Sequence, residues 1–178
     1  MQKTIKDIRK KLLANFYLNE EHVKVSIVSR LLTYLGWNIW NPTEVFYDYP
    51  IQRLPLNLND SPSYGKVSLA LFVSQDINRS PEVYIQTTSK GKLLTNITTY
   101  EDQLNLYSSY DMAVISILTD GNIWRFYLSS AEGISTQRLF NEFNIIEDSD
   151  DFIINILNSI LAKTNIDKMR LLQDKVCL

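Results

Sequence analysis

The sequence predicts one α/β domain with a mixed central sheet flanked by helices, and three observations lead there. KVSLALFV, from Lys66 to Val73, is apolar on both faces, the pattern of a central strand covered on both sides. Apolar residues three and four apart recur at Val28, Leu31, Leu32 and Leu35, and again at Ile153, Ile156, Leu157, Ile160 and Leu161, which is the stripe of an amphipathic helix. Between these helices strand-like and helix-like segments follow one another. From residue 20 the predicted order is α-β-β-β-α-β, with one further β and one further α.

Each element has its own signal. Ile5, Ile8, Leu12, Leu13 and Phe16 predict an amphipathic first helix over 4–17. Asn19 is a suitable N-cap for a second helix from about Glu20 to Leu35; Glu20 and Glu21 suit the positive end of its dipole, and Gly36 stops it. Strands are predicted over Glu44 to Ile51, Lys66 to Val73 and Glu82 to Thr88, separated by segments rich in Pro, Asn, Asp and Ser. Thr98-x-x-Glu101 has the form of a capping box and opens a helix running to about Ser109. Met112 to Leu118 is another buried strand, and Asp120-Gly121 turns the chain into Asn122 to Leu128 as a hairpin. The Ile153–Leu161 stripe closes the core, and 165–176 continue as a further helix. The chain is thus divided into a first helix (1–18), the α/β domain (19–162) and a helical tail (163–178).

Composition narrows the functional classes. The 178 residues are 45% hydrophobic and 21% charged, ordinary for a globular chain that buries a proper core. No apolar run approaches the roughly 20 residues of a membrane span, and the basic N-terminus lacks the apolar stretch and cleavage site of a signal peptide. The lone Cys177 cannot form an internal disulfide, which suits a reducing compartment, so a cytoplasmic location is expected. One His and one Cys cannot build a zinc site by themselves. Charge is unevenly spread. Residues 1–30 carry seven Lys/Arg against three Asp/Glu, 31–162 carry seven against fifteen, and 163–178 carry four against two. A central body at −8 is the wrong sign for holding phosphates unaided.

Particular residues on this order carry a resemblance. The stretches NEEHVKVSIVSRLLTYLGWNIWNPTEV, KVSLALFV, PEVYIQTTSKGKL, QLNLY and ILTDGNIWRFYL span about residues 19–128. Together they resemble the N-terminal nuclease domain of type I restriction enzyme R subunits, in the PD-(D/E)xK, or restriction-endonuclease-like, superfamily. The LGW-x-x-x-NP-x-EV turn and the LTDG-x-x-W-x-FY hairpin are the most specific parts. The resemblance implies a restriction-endonuclease-like core (α-β-β-β-α-β), and in active members a Mg²⁺-dependent cut of a phosphodiester in restriction-modification. That chemistry needs carboxylates for the metal and a cation for the phosphate. The family places an Asp on the second strand, a Glu on the third with a Lys two residues later on the same face, and often a Glu on the preceding helix.

Carried onto this chain, the Asp position is Ser68, the Glu position Gln86 and the Lys position Thr88, while Glu20 matches the helix acid. Gln103 and Tyr107 match the family's Q-x-x-x-Y motif, four apart on one helix face, and the resemblance implies DNA contact there. Three of the four catalytic functions are therefore replaced by neutral side chains. Ser68, Gln86 and Thr88 are read as replacements that remove a repulsive acidic cluster, against the sharper reading of a repurposed polar pocket. Glu20 is weighed as a helix-terminus charge against a ligand, and Tyr107 as core packing against a DNA contact. Lys90, Lys92 or Lys24 are the lysines available for a displaced one, with Asp76 and Glu82 the nearest acids. Lys90 and Lys92, with Gln103 and Tyr107, are the candidate nucleic-acid contacts. Trp37, Trp40 and Trp124 are read as core before base-stacking platforms, His22 as solvated, and the basic face of the first helix (Lys3, Lys6, Arg9, Lys10, Lys11) as solvated before phosphate-binding.

The expected function is a stand-alone, cleavage-deficient relative of this nuclease domain acting as an interaction module, without a metal or other cofactor. A protein partner or a second copy is favoured over tight DNA binding. The alternative is an active Mg²⁺-dependent endonuclease on relocated residues. No Gly-x4-Gly-Lys-Ser/Thr phosphate loop occurs, so no motor is encoded in these residues.

Overall fold

The computed structural model describes residues 1–53, 63–73, 80–111, 113–128, 139–166 and 168. Helix α1 (Gln2–Leu13) leads into α2 (Glu20–Val23), a π-helical turn (Lys24–Val28) and α3 (Ser29–Tyr34). Three strands follow, β1 (Val45–Arg53), β2 (Ser63–Leu71) and β3 (Val83–Thr87), then α4 (Lys92–Asp111) and the strands β4 (Ile115–Thr119), β5 (Ile123–Leu128) and β6 (Leu139–Asn144). Helix α5 (Asp150–Ile156) and a second π-helical turn (Leu157–Leu161) complete it. The sheet is six-stranded in the order β1-β2-β3-β4-β5-β6, antiparallel except for the parallel pair β3–β4. A parallel pair needs a crossover, and α4 supplies it. The fold is α/β with a mixed sheet flanked by helices.

Alternation along the strands divides the core in two. Leu69, Leu71, Val83, Ile85, Ile115 and Ile117 face a layer from α1, α2–α3 and α5, including Ile5, Ile27, Leu31 and Ile153. Ala70, Tyr84 and Leu118 face the other way, against Leu104 and Tyr107 of α4. Asn19 caps α2 by accepting the His22 N–H, and Gly36 leaves α3 at φ +90°. The described residues contain no helix long and apolar enough to cross a membrane.

Several local expectations are corrected. Helix α1 stops at Leu13, with Asn15 at φ +55°, so Leu13 and Phe16 are exposed rather than part of its buried stripe. Arg9 of the basic face turns inward. Its Nε donates to Ile145 O (2.6 Å) and its Nη2 to Asp148 O (2.8 Å), and Nη1 pairs with Asp150 (2.5 Å), fastening α1 to the start of α5. Helix α4 begins at Lys92 with a kink at Asn96, and Glu101 is no cap. Its carboxylate accepts from Tyr127 Oη (2.6 Å) and Arg125 Nη1 (2.7 Å), tying α4 to the sheet. Strand β6 was not predicted. At the far end Trp37 Nε1 donates to Leu161 O (2.9 Å), Lys163 Nζ meets Glu44 Oε2 (2.7 Å), and Ile166 is in the core. Most of the helix predicted over 165–176 lies outside the described residues.

Candidate functional site

Strands β2 and β3 part company in mid-sheet. Strand β2 pairs with β1 from Leu71 opposite Val45 to Ser63 opposite Arg53, skipping the step at Asp48 and Ser68, but with β3 only from Leu71 opposite Val83 to Leu69 opposite Ile85. One step beyond, where Ser68 would face Gln86, the ladder ends. The Thr87 N–H, left without a β2 carbonyl, donates instead to Ser68 Oγ (3.0 Å). Beyond the fork lies a cleft of about 500 Å³ lined by Glu20, Asp48, Gly65, Lys66, Ser68, Gln86, Gln103 and Tyr107.

Five of the sequence candidates therefore share one cleft: Ser68 and Gln86 from the strands, Glu20 from α2, and Gln103 and Tyr107 from α4 all border it. Glu20 Oε1 accepts from Ser68 Oγ (3.1 Å) and from Thr87 Oγ1 (3.0 Å), so the acid stitches α2 to both parting strands. Gln103 Nε2 donates to Tyr107 Oη (2.6 Å), as the four-residue spacing allows. Tyr107 is buried against Gly65, where a Cβ would fall 2.7 Å from the tyrosine Cε1; glycine is what lets the ring lie on the strand. Gln86 Nε2 donates to Thr87 O (3.3 Å), while its Oε1 is buried with no donor among the described residues.

Thr88 lies elsewhere. Strand β3 ends at Thr87, and Thr88 is buried with its N–H donating to Thr119 O (2.9 Å), so it does not share the cleft with Gln86. Lys90 is committed too. Its Nζ donates to Leu12 O (2.6 Å) and Asn15 Oδ1 (2.7 Å), closing the C-terminal end of α1. Lys92 is exposed at the first turn of α4 and is not on the cleft. Glu82 Oε2 accepts the Val73 N–H (2.8 Å), and Asp76 lies outside the described residues. Trp37 and Trp124 are core, but Trp40 is 86% exposed. His22 Nδ1 accepts the Leu18 N–H (3.1 Å).

Sequence reasoning missed the cleft's other charges. Asp48 sits in β1 between Tyr47, opposite Leu69, and Tyr49, opposite Val67, at φ +51°, a left-handed conformation that Asp tolerates better than most residues. Its Oδ1 lies 3.0 Å from Lys24 Nζ and 3.5 Å from Lys66 Nζ, and Lys24 Nζ also meets Glu21 Oε1 at 2.6 Å. Burial pushes the Asp48 carboxyl up, but the Lys24 hydrogen bond and charge, helped by Lys66, outweigh it and hold the group below the usual carboxylate range. Burial likewise works against the Lys24 ammonium, and hydrogen bonds to Glu21 and Asp48 raise it overall. One signal was available: Asp48 interrupts an otherwise apolar-aromatic strand, while Lys24, named among the available lysines, stands four residues after Glu20.

Mg²⁺ takes hard oxygen ligands, normally one or two carboxylates with waters. Glu20 has its Oε1 engaged by two hydroxyls, Asp48 is flanked by two ammonium groups, and the remaining oxygens, Ser68 Oγ and Gln86 Oε1, are neutral. Among the described residues no three of His, Cys, Asp and Glu group as a metal site would need. This donor set does not fit a resident Mg²⁺. What the cleft offers is amide and hydroxyl hydrogen bonding around carboxylates already engaged by neighbouring hydroxyls and ammonium groups. The chain matches no protein family, no curated protein and no solved structure in the comparisons made with each.

Proposed function

We propose that this chain is a cleavage-deficient relative of the type I restriction R-subunit nuclease domain and works as an interaction module. One observation carries the reading. At the fork where the resemblance puts a metal-binding Asp and Glu, Ser68 and Gln86 stand instead, and the retained Glu20 is spent on joining Ser68 to Thr87. Such a cleft keeps the form of a hydrolytic site without the charges that would hold a metal or steady a phosphate. The −8 balance of residues 31–162, and the use of Lys90 as a helix cap, favour protein over DNA as the partner. Incubating plasmid and single-stranded DNA with the chain and Mg²⁺ or Mn²⁺ tests this directly. No cleavage is expected, and no saturable DNA binding below roughly micromolar protein at about 150 mM salt. Metal-dependent nicking by the unmodified chain would overturn the reading.

A second reading, a Mg²⁺-dependent endonuclease on relocated residues, draws on Glu20, Asp48 and Lys66 bordering one cleft. It requires Lys24 and Lys66 to release Asp48. Nicking that Asp48→Asn abolishes would establish it; nicking unaffected by Asp48→Asn and Glu20→Gln would exclude it.

A further inference from the structure

A second, larger concavity lies on the other side of the helix that carries Glu20. It is an open groove of about 960 Å³ between the α2–α3 run and the segment leading into β1. Tyr17, Val25, Ile39, Trp40, Pro42 and Val45 make its walls apolar. Among the described residues Lys11 and Arg30 are its only charged lining residues, and no carboxylate lines it. Seven of the twelve exposed large hydrophobic side chains among the described residues fall within 13–46, so apolar exposure is concentrated around this part of the chain rather than scattered. Trp40 at 86% exposure and Val25 at 57% are the extremes within the groove.

We propose that this groove docks an acidic segment of a partner protein, one that carries apolar side chains as anchors. Most of the polar lining, Ser26 apart, is already used internally: Ser29 Oγ meets Lys24 O (2.9 Å) and Tyr47 Oη (2.8 Å), and Thr33 Oγ1 donates to Ser29 O (3.0 Å). An occupant is therefore held by burial against Trp40, Val25 and Pro42, and its register is set by the two cations. Lys11 and Arg30 share a single carboxylate, Asp7, leaving a net positive rim with unused N–H donors. That sign complements carboxylates. It opposes an isologous pairing with a second copy, which would set two such rims face to face. Nor is the groove a phosphate track, since its two cations are few and partly neutralised, and most of its wall is apolar. Trp, Tyr and Arg are the residues that dominate binding energy at such surfaces.

The proposal narrows the interaction-module reading to one surface and rests on it, but its test is separate from the cleft. Peptides of about a dozen residues selected from a random display library on the 178-residue chain should pair Asp/Glu with aromatic or aliphatic residues. Because Trp37 and Trp124 are buried, emission from Trp40 reports the groove, and selected peptides lacking tryptophan should shift it to the blue. Trp40→Ala and Arg30→Glu should each weaken binding at least tenfold. Arg30→Glu also breaks the Asp7 pair, so Val25→Glu, at an exposed position, serves as the block that leaves the melting temperature unchanged. Selection without acidic enrichment, no selection at all, or binding indifferent to Val25→Glu and Trp40→Ala would overturn the proposal. A concentration-dependent dimer lost in Val25→Glu would put a second copy in the groove instead, and a blue shift with duplex DNA would put nucleic acid there; either refutes it. Ser68→Asp with Gln86→Glu, which touches only the cleft, should leave peptide binding intact, so the two readings fail separately.

Discussion

Replacing Gly121 with alanine tests how the helix carrying Glu20 and Lys24 is seated on the sheet. Gly121 turns β4 into β5 at φ +87°, directly beneath that helix. A Cβ added there would lie 2.7 Å from Ile27 Cδ1 and 3.3 Å from Val23 Cγ1. Two costs combine: about 1–2 kcal/mol for an L-residue in the left-handed region and about 1–3 kcal/mol for overpacking a filled contact. The expected loss is about 2–5 kcal/mol, and at roughly 2–4 °C per kcal/mol for a domain of this size the melting temperature should fall by about 4–20 °C. Ile27→Val, which deletes the clashing methyl, separates the two costs. Alone it should cost about 0.5–1.5 kcal/mol. In Gly121→Ala it should recover the overpacking part but not the backbone part, giving a favourable coupling of at least about 1 kcal/mol in a double-mutant cycle. Urea denaturation followed by circular dichroism measures all four proteins. Additive losses, or a Gly121→Ala protein as stable as its parent, would refute the packing argument.

Gly65→Ala should force the Tyr107 ring off β2 and break the Gln103 contact, costing about 1–3 kcal/mol in the same assay; an unchanged midpoint would show that the ring is free to shift. The Glu44–Lys163 pair predicts a pH effect. Burial raises the Glu44 carboxyl, but the hydrogen bond from Lys163, the Asn38 N–H and the Lys163 charge bring it below the ordinary range, so its contribution is complete above that range and is lost as pH falls through the lowered value. Melting temperature should therefore decline less steeply below about pH 4.5 in Glu44→Gln than in the parent, and equal slopes would count against the pair. Calorimetry should show Mg²⁺ binding no tighter than millimolar in the parent and tighter binding in Ser68→Asp with Gln86→Glu; micromolar binding by the parent would contradict the donor count.

Sequence made the local determinants legible. Asn19, Gly36 and the apolar stripe through Leu31 and Leu32 act within a turn or two of themselves, and each behaves as its chemistry dictates. Strand β6 is different. LFNEFN has no consistently apolar face, and it becomes a strand by pairing at the edge with β5. The cleft was half legible. The resemblance singled out Ser68 and Gln86, which do border one cleft, but the end of β3 at Thr87 takes Thr88 away, and a left-handed Asp48 cannot be read from an alternating strand. Lys90 shows why the remainder was hidden: its carbonyl partner is Leu12, 78 positions away, and no local pattern encodes such a contact.

The π-helical turn at Lys24–Val28 joins the two concavities, with Glu20 before it on the cleft, Val25 and Ser26 within it on the groove, and Ser29 and Arg30 after it on the groove as well. An α-helix advances by about 100° per residue, so the turn's extra residue sets the rotational phase between the two groups. Deleting one residue there would swing Glu20 by roughly a quarter-turn away from Ser68, or swing Arg30 off the groove if α2 held its place. Ser29 adds a second link, since its hydroxyl meets Tyr47 of the groove, whose chain neighbour Asp48 lines the cleft. Insertions and deletions in this helix are thereby confined to changes that restore the phase, and in divergent descendants the two surfaces would be kept or lost together.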